Sequence, residues 1–280
     1  MRYRYRRIVN VIMSGLMFLS SIIAIIPLFI ILLYLLSKGL GSLNLGFFTE
    51  LPRPVGEVGG GMANAIIGTM ILIGLACFVG LPVGILGGIY LAEFGKTKIS
   101  DFVRFTSDIL SGTPSIVIGV FIYAMLVLPF RQFSAIAGGV ALGIMMVPTV
   151  MRTTEEMMKL VPQSLREGSL ALGVSYWRTL LSVVLKTARG GIVTGILLAI
   201  SRIAGETAPL LFTALGNQFW SVNLTNPIAA LPLQIFTFAI SPYEDWQKQS
   251  WAGALVLIFM VLLLNIGSRF FIRSRLGRRR

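Results

Sequence analysis

PQSLREGSLALGVSYWRTLLSVVLKTARGG, residues 162–191, is a charged, amphipathic island with long apolar runs on both sides. Ser164, followed three residues later by Glu167, reads as a capping box that opens a helix. Leu165, Leu172, Trp177, Leu180 and Leu181 recur near helical spacing. Gly168 and Gly173 permit close approach to another surface, or a bend. The island is too polar to cross lipid and too apolar to stand free in water. It is therefore expected to form short helices at a membrane surface, with one face left for a soluble partner. A plain loop between two spans is the alternative.

The flanking composition excludes a soluble protein. Of 280 residues, 55% are hydrophobic and 12% charged, and the mean hydropathy is +0.84. Several runs approach or exceed the roughly 20 apolar residues that cross hydrocarbon as a helix. One cysteine, Cys77, sits in such a run. It can form no intrachain disulfide, and with no histidine in the chain a classical zinc site is not expected. Cys77 is read as a small packing residue.

The expected class is all-α: a polytopic membrane protein with six transmembrane helices. The first span covers about residues 8–36, behind the basic start MRYRYRR. It is far longer than a signal-peptide core and closes on no small-x-small cleavage site, so it is read as an uncleaved helix. Residues 38–62 form an external segment with a short surface helix near Leu45–Phe48. The second span runs from about Met62 to Tyr90. Its six glycines after Ile67, with Pro82 among them, imply tilt, a kink or a tightly packed neighbour. Residues 93–108 form a loop or surface helix. Leu110–Leu128 and Ser134–Val150 are spans three and four, joined by a tight turn at Pro129–Arg131. Gly191–Leu211 is span five, and Trp251–Phe271 is span six. Ile228–Ile240, with Pro232 and Gln234, is short for a span and suits a helix returning partway into the protein or lying at the interface. The organisation is thus a first helix with its external segment (residues 1–61), a transmembrane core (62–272) and a basic tail (273–280).

Basic residues set the orientation. With the N-terminus inside, the inner segments hold 4, 3, 6 and 6 lysines and arginines of the 24 in the chain. The outer ones hold Lys38, Arg53, Arg131 and Lys248 alone. Both termini and the island then face the cytoplasm, and a seventh crossing at 228–240 is rejected because it would put the C-terminal arginines outside. The tail RSRLGRRR suits anionic membrane lipid and topology control rather than nucleic acid.

Polar residues within the spans are candidate site residues. In LLAISRIAGETAPLLFTA, Arg202 and Glu206 lie four apart, so a helix stacks them on one face. A cation held by a carboxylate suits a passage for a small anion, where release matters as much as capture. A structural ion pair locking helices is the alternative. SGTPSIVIG, residues 111–119, is the second cue. Ser111 or Thr113 can cap a helix with Pro114 in its first turn, and the helix's exposed N–H groups can face an anion. Capping alone is the bland account. Thr113 and Ser115 join Arg202 and Glu206 as passage candidates. Asn64 is a weaker lining position. Trp220, Trp246, Trp251 and Tyr243 are expected at the outer interface.

The island resembles the cytoplasmic coupling motif of bacterial ABC importer permeases: Glu-Ala-Ala, three residues, Gly, nine residues, Ile-x-Leu-Pro. Glu167 matches the Glu, Gly168 and Ser169 stand for the two alanines, and Gly173 matches the Gly. Val183-Val184-Leu185 fits the end, and Lys186 replaces the Pro. TPSIVIG, ALG in the island, GETAPLLFTA, LPLQIF and the W-x-x-A-L-V-L of the last span together resemble the PstA-type permeases of phosphate ABC importers, over roughly residues 8–272. The resemblance implies an inner-membrane permease subunit that is not itself an enzyme. Glu167, Gly168 and Gly173 would couple it to a PstB-type ATPase dimer that binds ATP and Mg. A PstC-type sister permease and a PstS-type external phosphate-binding protein would complete the importer of inorganic phosphate. The resemblance also ties Arg202 and Glu206 to phosphate passage. No G-x-x-x-x-G-K-[ST] sequence occurs in the chain, so hydrolysis is assigned elsewhere. The rivals are an ABC permease for another solute, and a nontransporting membrane scaffold or sensor partner.

Overall fold

The computed structural model describes residues 2–57 and 59–277, with side chains between residues 3 and 267. Eleven helices account for most of the described chain: α1 (Arg2–Gly39), α2 (Leu45–Thr49), α3 (Ala63–Glu93), α4 (Lys98–Gly112), α5 (Ser115–Phe130), α6 (Ala135–Lys159), α7 (Gln163–Ala171), α8 (Tyr176–Ile203), α9 (Ala208–Thr213), α10 (Leu231–Ala239) and α11 (Glu244–Gly277). α1, α3, α6, α8 and α11 are long and apolar enough to cross a membrane. The pair α4 and α5, bent by 104°, makes a sixth candidate if its two halves count as one broken span.

α3 and α6 form the centre, and their glycines explain why. A Cβ at Gly80 would lie 2.8 Å from the Gly143 carbonyl, and one at Gly88 would lie 2.5 Å from the Met151 carbonyl. From the other side, Gly139 receives Leu75 and Gly143 receives Val79. In lipid, helices gain little from hydrophobic burial against one another, so contact through small residues carries the association. The glycine run of the second span therefore marks a tightly packed neighbour. Leu72, Ala76, Leu142, Met146, Val150, Ala199 and Ile203 complete this core.

α8 lies along α6, where Gly195 receives Thr153 and Gly191 receives Met157. α9 crosses α5 at Gly119, whose Cβ would sit 2.7 Å from the Pro209 Cα. α10 is a half-length helix packed on α11, with Phe238 stacked on Trp246 at 4.4 Å. α1 packs only near its end. Tyr34 meets Trp251 edge-on at 5.3 Å, and Leu35 is buried, while its apolar length is otherwise exposed. Such a helix is solvated by lipid or by another chain, not by water.

Several boundaries differ from the sequence reading. Span three breaks at Thr113–Pro114, so Leu110–Gly112 belong to α4. Thr113 does not open a helix. It closes α4, its Oγ1 donating to the Ile109 carbonyl at 2.8 Å, and Pro114 stands before α5 with no side-chain cap. Proline's fixed φ and missing N–H make it the natural residue at that corner. Ser164 likewise caps nothing. Pro162 precedes α7, whose first residue is Gln163, so the serine falls inside the helix. From Tyr176 onward the island is continuous with span five, and α6 extends to Lys159. Asn64 is buried and donates to the Asn217 carbonyl at 2.7 Å, a tie between segments. Of the four aromatics, Trp246 meets Tyr243 and Trp251 meets Tyr34.

Gly68 offers a test of backbone-limited packing, because its Cβ would fall 2.0 Å from the Ala229 carbonyl, whereas Gly74 has open space. Gly68→Val should destabilise the detergent-purified chain by about 2 kcal/mol or more. Gly74→Val should leave the thermal unfolding midpoint within experimental error.

Candidate functional site

Two carboxylates at one end of the α3–α6 pair organise the surface there. Glu93, the last residue of α3, has a side chain only 3% exposed. Its Oε1 accepts from Arg166 Nη1 of α7 at 2.6 Å, and its Oε2 accepts from the Tyr176 hydroxyl at the start of α8. Arg166 also donates through Nη2 to the Met158 carbonyl of α6 at 3.2 Å. Glu155 of α6, 9% exposed, accepts from Arg104 Nη2 at 2.8 Å and from Lys159 Nζ at 2.5 Å. Arg104 reaches the Gly95 and Leu91 carbonyls as well, so α4 is fastened to the ends of both α3 and α6. Removing one member of a buried pair typically costs about 3–5 kcal/mol, because the survivor keeps an uncompensated charge.

α7 is held by these bonds rather than by a core, since it contributes no buried residue. Arg166 and Ser169 face inward, the serine hydroxyl sharing a hydrogen bond with Thr179 at 2.9 Å. Glu167 and Gly168 face outward and are exposed, as are Leu165, Leu170, Leu172 and Trp177. Gly168 and Gly173 pack against nothing in this chain, for a Cβ at either meets no atom within 4 Å. Gly173 is instead the bend. It has φ +75°, its N–H donates to the Leu170 carbonyl, and the Val174 N–H donates to the Ser169 carbonyl. That pair of bonds is the Schellman closure of a helix end. Glu167, Gly168 and Gly173 thus share one exposed element. Lys186 continues α8 without a bend, although the helix winds wider over Leu180–Val184 just before it.

The second candidate group lies about halfway along α6. Gly195 beside Thr153, and the Thr213 carbonyl bonded to Ser134 N–H at 3.0 Å, bracket Arg202 at that level. The expected stacking of Arg202 on Glu206 fails. α8 ends at Ile203, residues 204–207 form a turn, and Glu206 leaves the helical face before it can sit over the arginine. Among the described residues no ion pair joins them; Arg202 is exposed and Glu206 half-buried. The break is bordered by half-helices. Thr207 Oγ1 donates to the Pro232 carbonyl of α10 at 3.4 Å, and Leu231 N–H donates to Thr69 Oγ1 at 2.8 Å. Ser201 Oγ accepts from Asn265 Nδ2 at 2.7 Å. Thr113 and Ser115 are half-buried at the α4–α5 corner, one turn or so from the crossing at Gly119, and among the described residues no hydrogen bond joins either to Arg202 or Glu206. Glu93, Arg104, Glu155, Arg166 and Tyr176 were not singled out from sequence. Glu93 and Arg166 are 73 positions apart, so only the α3–α6 packing identifies them as partners.

Residues 84–278 match the model of the binding-protein-dependent transport system inner membrane component. The chain belongs to that family. This family member is a multi-pass inner-membrane protein and a transport component. A phosphate transport system permease protein PstA of Yersinia pestis is 53% identical over 240 residues, covering 85% of this chain and 81% of that one. The protein of the same name in Haemophilus influenzae is 44% identical over 276 residues, 98% of each chain. Among solved structures, an inward-facing MetNI methionine ABC transporter is 19% identical with a TM-score of 0.61, over 76% of this chain and 96% of that one. That likeness shows the all-helical permease fold.

The bend at Gly173 gives a local prediction. Gly173→Ala should cost about 1 kcal/mol, the price of a Cβ in the left-handed region. Amide exchange across residues 163–174 should then accelerate about fivefold while exchange in α3 and α6 stays unchanged. Equal rates in α7 would contradict the role given to the turn.

Proposed function

We propose that this chain is the permease subunit of an ATP-driven importer of inorganic phosphate, forming half of its translocation path. The observation that carries the reading is an exposed helix, α7, fastened by buried charges to the central pair in a chain 53% identical to a phosphate transport system permease. A helix with no core of its own, exposed glycine and leucine on its outer side, and a firm attachment inward is suited to receive a push and pass it on. Both termini and α7 face the cytoplasm in this reading, as the distribution of lysine and arginine favours.

A PstB-type ATPase dimer, carrying ATP and Mg, docks on Glu167, Gly168 and the turn at Gly173. A PstC-type sister permease supplies the other half of the path, and a PstS-type binding protein delivers phosphate outside. Nucleotide-driven closure of the ATPase shifts α7, and the two states differ in their partner contacts, as coupling requires. Arg202 is the anion-facing charge. An exposed guanidinium at mid-helix depth is costly in lipid, so a polar passage or a sister chain must solvate it. Glu206 tempers the positive field, and the hydroxyls of Thr113 and Ser115 line the approach.

Arg202→Ala should lower phosphate uptake into proteoliposomes about tenfold, a loss near 1.4 kcal/mol, with subunit recovery unchanged. Loss of the assembled complex would mark a structural role instead. Gly168→Leu meets open space and gains about 1 kcal/mol of helix propensity, so the chain itself should be no less stable. Its recovery of the ATPase subunit by affinity purification should nevertheless fall about tenfold. Normal recovery would count against docking at α7. Competition of labelled phosphate uptake by sulfate, molybdate and amino acids decides the solute.

A further inference from the structure

The mechanical link between α7 and the central helices is narrow, and that narrowness assigns a role to one residue. α7 buries no side chain of its own and touches mainly the start of α8. Among the described residues its direct polar ties to α3 and α6 are both made by Arg166, to the Glu93 carboxylate and to the Met158 carbonyl. Glu93 also binds the Tyr176 hydroxyl, so one carboxylate gathers α3, α7 and the first turn of α8. Directly below it on α3 lie the glycines that press on α6. Gly88 meets the Met151 carbonyl, and Gly84 meets Val150. A displacement reaching Glu93 therefore moves two long helices together, because neither has slack against the other.

We propose that Glu93 is the positioning residue through which movement of α7 reaches the α3–α6 pair, so that it sets how much transport each ATP hydrolysed produces. The inference rests on the importer reading above. Two bonds to separate oxygens fix the carboxylate's orientation as well as its position. Tyr176 holds one oxygen, and Arg166 pulls on the other. A glutamine at position 93 keeps the shape and one acceptor but loses the charge that draws the guanidinium in. α7 would then keep its peptide links, the Arg166 bond to the Met158 carbonyl and the Ser169–Thr179 bond, but lose its charged tie to α3.

Two readouts test this. In a Cys77→Ser background, a spin label placed on Gln163→Cys reports α7 mobility in the isolated chain, independently of any transport. Glu93→Gln should raise that mobility. In proteoliposomes holding the complete complex, Glu93→Gln should continue to hydrolyse ATP while phosphate taken up per ATP falls about fivefold. Tyr176→Phe removes one hydrogen bond and strands no charge, so it should lower the same ratio about twofold. A purely structural role would reduce the amount of complex without altering uptake per ATP. Wild-type uptake per ATP in Glu93→Gln overturns the proposal. If that variant fails to assemble, a wild-type ratio in Tyr176→Phe overturns it equally. A wild-type complex that hydrolyses ATP yet moves no phosphate would overturn the importer reading instead, and the label's mobility would still report whether Glu93 clamps α7.

Discussion

Backbone contact between α3 and α6 is the constraint on which the rest of the structure depends. Lipid tails are as apolar as leucine, so apolar side chains alone give helices little reason to prefer one another. Glycines spaced by four on α3, answered by Gly139 and Gly143 on α6, let main chains meet where side chains would hold them apart. Two long helices with carbonyls of one set against glycines of the other behave as one slab. α8 then lies in the groove beside it, and α9 can cross α5 because Gly119 leaves room for Pro209.

The slab also decides where charge can be spent. It brings Glu93 and Glu155 to the same end, each too buried to stand alone. Arg104 and Arg166 answer them from elements outside the slab, and so attach α4 and α7. These pairs add little net stability when desolvation is counted, but each makes a wrong arrangement expensive. Specific attachment, rather than strength, is what a surface element needs if its position is to carry information to the membrane interior.

The all-helical class, the apolar spans and the exposed amphipathic island were legible because they follow from hydropathy and local pattern. Glycine frequency in the second span gave away a close neighbour without naming it. Helix ends were less legible. Ser164 and Thr113 look like caps in sequence, yet Pro162 and Pro114 take the preceding positions and set the boundaries. Arg202 and Glu206 have helical spacing but not a helical backbone, because α8 stops between them at Ile203. Glu93 with Arg166, and Arg104 with Glu155, were invisible for a different reason. Their pairing is set by tertiary packing across 73 and 51 positions, and no local signal encodes it.

The corner at Thr113–Pro114 carries a geometric consequence. One arm, α4, is riveted to α6 through Arg104 and Glu155; the other, α5, climbs past Pro209. A bend of 104° with a proline at the elbow joins these two anchorages in one angled element. Arg104 anchors one arm on α6 and Gly119 seats the other against Pro209, so neither arm can turn without disturbing a second helix.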